Sequence, residues 1–172
     1  MKNCFKMEDN MISIVMATYN GINFIEEQLK SLQNQTLVAD EVIISDDFST
    51  DGTYEFIVDY IRLHNLEKWT VCRNENNLGY SRNFSNVLKK ASGEVIFLAD
   101  QDDIWHLDKV QKMVECMKKH PEIELLAANY MTFFSENDTG SGSKLYAARS
   151  KEMKSDGSIE MLGIDPKWPY IN

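Results

Sequence analysis

Residues Gly93–Val110 read GEVIFLADQDDIWHLDKV. An apolar run of strand length, EVIFLA, stops abruptly on three aspartates, Asp100, Asp102 and Asp103. A short continuous apolar run between polar boundaries is the pattern of a strand covered on both faces, as in a parallel sheet. Neighbouring carboxylates at its end disfavour one another's charge unless a cation offsets it. The stretch therefore poses two questions: what sheet it belongs to, and what its acidic end faces.

The first is answered by the flanking sequence. MISIVMA (Met11–Ala17) and EVIIS (Glu41–Ser45) are further apolar runs, and KWTVCR (Lys68–Arg73) is a weaker one. Helix-period segments separate them. From Asn23 to Asn34, Ile25, Leu29 and Leu32 fall on one face. Ile57, Tyr60, Ile61 and His64 share the next, with Thr50 or Asp51 expected as cap. A third helix opens at Ser81 with Phe84, Val87 and Leu88 inward, and Gly93 is expected at its C-terminal cap. Leu107–His120 is the fourth, with Val110, Met113, Val114 and Met117 on one side and Pro121 as its stop. ELLAANYMTFF (Glu124–Phe134) reads as one more strand.

This alternation predicts an α/β fold: a Rossmann-like, mostly parallel sheet with helices on both faces. Residues 1–10 form an N-terminal extension and 11–134 the sheet domain. The polar, turn-rich stretch 135–172 is too long for a tight connection.

Composition narrows the function. The chain has 172 residues, about one domain, and a formal net charge of −9. So acidic a chain lacks the field that captures nucleic acid. Its apolar runs are too short to cross a bilayer, and the first twenty residues lack the apolar core of a signal peptide. The expectation is a cytoplasmic protein. Cys4, Cys72 and Cys116 are scattered, with no Cys-x-x-Cys pair, which fits free thiols rather than a zinc site or disulfide framework.

In a parallel sheet the loops TYNG, DDFSTDGT and ADQDD, after the first, second and fourth strands, open onto one edge, where such sheets bind ligands. Turn and cap chemistry explains Ser49–Thr53 but not Asp46 and Asp47, which suit hydrogen bonds to a ribose or base. In extended chain Asp100 and Asp102 point the same way, and two carboxylates together suit an oxygen-preferring ion, Mg2+ or Mn2+. Asp103 is left as a helix cap. Arg82 is the one guanidinium near this edge and can meet a diphosphate bidentately. No P-loop, dinucleotide fingerprint or nucleophile elbow is present, and His64, His106 and His120 read as structural.

Taken together, ISIVMATYNGINFIEEQLKSLQNQT, DEVIISDDFSTDGT and NLGYSRNFSNVLKKASGEVIFLADQDDIW resemble the N-terminal half of inverting family 2 glycosyltransferases of GT-A fold, from about Met11 to Pro121. The resemblance implies that residues 11–134 bind a UDP- or dTDP-linked sugar. Thr18, Tyr19 and Asp47, with Asp46 beside it, take nucleoside-binding positions, and Arg82 the basic position of a Gly-x-x-x-Arg-Asn segment. Asp100 and Asp102 match an Asp-x-Asp motif that holds a divalent metal on the donor diphosphate. DQDDIW is similar to a subgroup of rhamnosyltransferases of bacterial surface polysaccharides. The implied acceptor is a saccharide or lipid-linked saccharide, with peripheral contact at the inner face of the membrane.

There are departures. DDFS replaces the commoner Asp-Asp-Gly/Asn-Ser, a change expected to alter packing alone. The family's general base is a carboxylate, often in a Glu-Asp pair, beyond the metal motif. Here the only such pair is Glu8-Asp9, and neither Glu160 nor Asp165 has a supporting context, so the base is unassigned. The chain ends at IDPKWPYIN, short of the expected acceptor region, and a truncated enzyme keeping the donor half is the expectation. The alternatives are a nucleotide-sugar-binding fragment without turnover and a nucleotidyltransferase. The latter usually has a glycine-rich basic loop after its first strand, which TYNGINFIEE lacks.

Overall fold

The structure is a computed structural model and describes residues 11–128. Eight elements alternate through it: β1 (Ile12–Thr18), α1 (Ile25–Gln33), β2 (Glu41–Asp46), α2 (Thr53–Leu63), β3 (Trp69–Arg73), α3 (Tyr80–Leu88), β4 (Val95–Asp100) and α4 (Lys109–Lys119). The strands form one parallel sheet in the order β3-β2-β1-β4. The chain divides into the units Met1–Glu124 and Leu125–Asn172, and the second lies almost wholly outside the described residues.

Every residue of β1 is buried, because it lies inside the sheet and both its faces are covered. On one face Val15, Ala17 and Ile43 pack against Phe84 and Val87 of α3. On the other lie Ile14, Met16 and, in register with Ile14, Phe97. The Phe97 ring is 6.0 Å from that of Trp105, whose backbone N–H donates to Ser31 of α1 at 3.0 Å. Val110 of α4 donates to Gln35, and Tyr60 of α2 to Gln33 of α1, so α1, α2 and α4 form a connected layer over this face. Ile25, Leu29 and Leu32 are buried as their spacing predicts.

Several expectations are corrected. β4 is not covered on both faces: Ile96 and Leu98 are exposed, Leu98 at 54%. Leu98 shares the α3 face with its partner Val15, but α3 covers β1 and β2 and leaves this edge strand open. His64 is exposed beyond the end of α2, its ring against Tyr60 at 4.3 Å. The N-cap position of α2 is Gly52, in left-handed conformation at φ 95°. Asp51 beside it accepts the Thr53 N–H. Residues 124–128 have no strand structure, and the remainder of the run expected as a fifth strand, to Phe134, lies outside the described residues.

Gly93 does not cap α3, which ends at Leu88 with Lys89 as its C-cap. Its N–H donates to the Ser13 hydroxyl at 2.7 Å, and that hydroxyl donates to Glu41. A Cβ on Gly93 would come within 2.7 Å of the Met11 carbonyl and the Ser13 nitrogen. Close approach to the β1 backbone, rather than helix termination, requires glycine here.

Candidate functional site

In this strand order β2 and β3 build outward from one side of β1, and β4 returns to the other. The reversal lies between β1 and β4, and parallel sheets bind ligands at such a reversal, beyond the strands' carboxyl ends. The loops after β1, β2 and β4 meet at that edge. The first two are stitched together: Asn20 N–H donates to Ser49 Oγ, Gly21 N–H to Thr53 Oγ1, Ile22 N–H to Asp51, and Thr50 N–H to Asn20 Oδ1. Residues read as turn and cap thus hold the neighbouring loop. Gln101, between the motif aspartates, accepts the Tyr19 N–H at 2.8 Å and donates to the Tyr19 carbonyl at 3.0 Å.

Asp46 and Asp47 are both buried, and each is engaged by protein donors. Asp46 accepts from Thr18 Oγ1 at 3.1 Å, Ser49 Oγ at 2.5 Å and Ser49 N–H at 2.9 Å, with Arg73 Nε 3.6 Å away. Asp47 accepts from Asn74 Nδ2 at 2.7 Å, Leu78 N–H at 2.9 Å and Gly79 N–H at 2.8 Å. A carboxylate has about four acceptor positions, so Asp47 retains about one for a ligand. Thr18 is buried under the same knot, whereas Tyr19 is 47% exposed.

Phe48 follows directly. Its backbone is left-handed, φ 65°, a conformation that costs a bulky residue about 1–2 kcal/mol. That explains why glycine or asparagine is commoner at this position. The Arg73 guanidinium lies 5.4 Å from the Phe48 ring and 5.2 Å from Tyr54, and Arg73 also pairs with Glu55 at 3.0 Å and donates to the Ser49 carbonyl. An exposed cation–π contact is worth about 0.5–1 kcal/mol, which offsets only part of the strain.

The acidic loop is assembled differently. Asp102 is exposed and has no hydrogen-bond or ion-pair partner among the described residues. Burial pushes the Asp100 carboxyl up, and the charges of Asp103 and Asp102 add to this; the Tyr80 hydroxyl and Lys109 oppose it. Burial also raises Asp103, with Lys109 opposing, Asp102 adding and the Trp105 indole pulling down. The Trp105 Nε1–H is buried without a partner of good geometry among the described residues. Asp103 lies well before α4, whose N-cap is Asp108, so it does not cap that helix.

Lys109, Tyr80, Trp105 and Gln101 join this end of the site without having been expected. Lys109 Nζ sits 4.1 Å over the Trp105 ring, and burial pulls its amine down to about 8 against the pull of Asp103 and Asp100. A cation in the first turn opposes the helix dipole. That mismatch was the available signal that Lys109 faces acid. Arg82 is exposed without a partner among the described residues. Tyr80, two positions earlier and so on a different side of α3, is the residue brought to Asp100. The three histidines stay outside: His106 meets Asp108 at 2.6 Å and His120 meets Glu122 at 3.3 Å. Cys72 and Cys116 are free, and Cys4 lies outside the described residues.

Among the described residues no three His, Cys, Asp or Glu side chains are grouped to enclose a metal ion. Asp100, raised by burial and by its acidic neighbours, and Asp102, exposed and without a protein partner among the described residues, nevertheless fit a hard cation that takes its remaining ligands from water and phosphate, as Mg2+ commonly does.

The chain is 39% identical over 110 residues to the dTDP-rhamnosyl transferase RfbG of Shigella flexneri, a match covering 59% of this chain and 36% of that protein. The crystal structure of S. aureus TarS 1–349 in complex with UDP matches with a TM-score of 0.58 at 30% identity, over 64% of this chain and 33% of that one. The mannosyltransferase PcManGT from Pyrobaculum calidifontis, in complex with GDP-Man and Mn2+, matches with a TM-score of 0.59 at 26% identity, over 63% and 32%. The chain thus spans about a third of the length of these proteins. Its parallel sheet and helices are the GT-A arrangement of these structural neighbours. With residues 13–170 matching the family's domain, Glycosyl transferase family 2, the chain belongs to that family.

Proposed function

We propose that this chain is the donor-binding part of a metal-dependent, inverting glycosyltransferase of bacterial cell-surface polysaccharide synthesis. It would act at the cytoplasmic face of the membrane on a UDP- or dTDP-linked sugar. The observation that carries the reading is the meeting of three strand-end loops at the β1–β4 reversal, with Asp102 open on one of them. The UDP bound by TarS and the dTDP-linked chemistry named for RfbG support the choice of nucleotides.

In this reading Tyr19 and the remaining acceptor position of Asp47 meet the nucleoside. Thr18 and Asp46 hold that loop in place, and Arg82 is free to swing to the diphosphate. Asp102 and Asp100 would hold Mg2+ or Mn2+, which when bound supplies Lewis-acid stabilisation of the leaving diphosphate. Lys109, seated over the Trp105 ring, offsets part of the acidic loop's charge. The acceptor, a saccharide or lipid-linked saccharide, attacks the anomeric carbon through a hydroxyl deprotonated by a carboxylate base. Glu8, Asp9, Glu160 and Asp165 all lie outside the described residues.

Calorimetry of UDP and dTDP, with and without MnCl2, tests this. Mn2+ is expected to tighten nucleotide binding to the chain, and Asp102→Asn to remove that enhancement while leaving the melting temperature unchanged. Absence of nucleotide binding, or an Asp102→Asn variant that keeps the full Mn2+ effect, overturns the assignment.

A further inference from the structure

Three non-glycine residues have positive φ among the described residues: Asn20, Asn65 and Phe48. Asparagine tolerates this conformation; phenylalanine does not. Phe48 is therefore held where a smaller residue would sit more easily, and its contact with Arg73 does not make up the difference. Backbone strain of this kind concentrates at ligand-binding positions, where the surrounding structure maintains it.

The ring is also prepared for a partner. Arg73 lies against one of its faces and is itself fixed by Asp46, Glu55, the Ser49 carbonyl and the Tyr54 ring. The side chain remains 43% exposed. Phe48 thus presents open aromatic surface whose orientation is already set, so little rotamer freedom remains to be lost on binding. It follows Asp47 at the carboxyl end of β2, which lies two strands from β4 in the sheet, about 10 Å away. A phosphate and a ribose together bridge a span of that order, so a diphosphate anchored near Asp102 carries its base toward Phe48.

We propose that Phe48 is a base-stacking residue: its open face takes the pyrimidine of the nucleoside diphosphate donor, backed by the Arg73 guanidinium. This rests on the donor-site reading above. Stacking on an aromatic side chain is largely indifferent to which base is present, so Phe48 contributes affinity and orientation more than choice of base.

The test uses the 172-residue chain, MnCl2, and UDP or dTDP as probes, with Mn2+-pyrophosphate as a probe that has no base. Phe48→Asn, which accepts the left-handed backbone, is expected to lose roughly five-fold or more in affinity for UDP and dTDP. Its affinity for Mn2+-pyrophosphate is expected to stay unchanged, and its melting temperature to hold or rise. Phe48→Leu, which keeps apolar bulk without a π face, is expected to lose affinity similarly, and Phe48→Tyr to retain it. Wild-type binding of UDP with Phe48→Asn within two-fold of it overturns the proposal. So does a loss that extends equally to pyrophosphate. If the wild-type chain binds neither nucleotide, the donor-site reading itself falls, and this inference with it.

Discussion

Asp47→Asn separates the two explanations of the paired aspartates at the end of β2. If the pair exists only to meet a ligand, removing one charge relieves repulsion and leaves the fold as stable or more so. The structure predicts the opposite. Asp47 accepts three hydrogen bonds, from Asn74 Nδ2, Leu78 N–H and Gly79 N–H. With asparagine the first two lose charge assistance, about 1 kcal/mol each. The third donor, the Gly79 N–H, then faces an amide NH2 and keeps only its longer bond to Asn77 Oδ1 at 3.1 Å, a loss of about 1 kcal/mol. The sum is about 3 kcal/mol, a large fraction of the 5–15 kcal/mol that holds a typical domain folded. In urea, with a slope of about 2 kcal/mol per molar, the unfolding midpoint should fall by about 1.5 M without a change of slope. Circular dichroism in the absence of nucleotide reads this directly. A midpoint unchanged or raised would show that the protein donors are incidental and that repulsion from Asp46 dominates.

Two further outcomes follow from the packing and charge described above. Gly93→Ala places a Cβ within 2.7 Å of the β1 backbone, which cannot withdraw from the middle of the sheet; a loss of about 1–3 kcal/mol is expected, seen as a melting temperature lower by several degrees, and an unchanged melt would refute the close-approach reading. Lys109 titrates near 8 in the fold, whereas an unfolded lysine holds its proton to about 10.4, so the unfolded chain binds more protons between these values. Native stability relative to Lys109→Met should therefore be level below pH 8 and rise from pH 8 to 10; urea melts of both proteins across that range check the sign, and a relative fall would contradict it.

The sheet was legible because its strands are short apolar runs and its helices carry a clear 3.6-residue period, as Ile25, Leu29 and Leu32 show. What was not legible depends on neighbours distant in sequence. Leu98 looks like any core residue until the strand order makes β4 an edge that α3 does not reach. Gly93 follows a helix and matches a cap by pattern, but its partner, Ser13, is eighty residues away. The convergence of TYNG, DDFSTDGT and ADQDD was readable from strand polarity alone. The donors that occupy Asp47 were not, since they arrive from the loop between β3 and α3. Tyr80 follows the same rule, since nothing in GYSRN announces Asp100 twenty residues on. For Lys109 the signal was local, a cation in the first turn of α4. Phe48 was visible as an unusual residue in a familiar motif, but only its φ reveals that the substitution carries a conformational cost.

Gln101 ties the two halves of the crevice together. Its side-chain amide accepts the N–H of Tyr19 and donates to its carbonyl, so the acidic loop and the first loop are joined at a single residue. In the proposed donor site a cation held by Asp100 and Asp102 would therefore sit on a loop already tied to Tyr19, and the charged and aromatic ends of the crevice would be placed relative to each other before any ligand arrives. Gly21 keeps the linkage intact, because a side chain there would drive directly into the Gln101 amide.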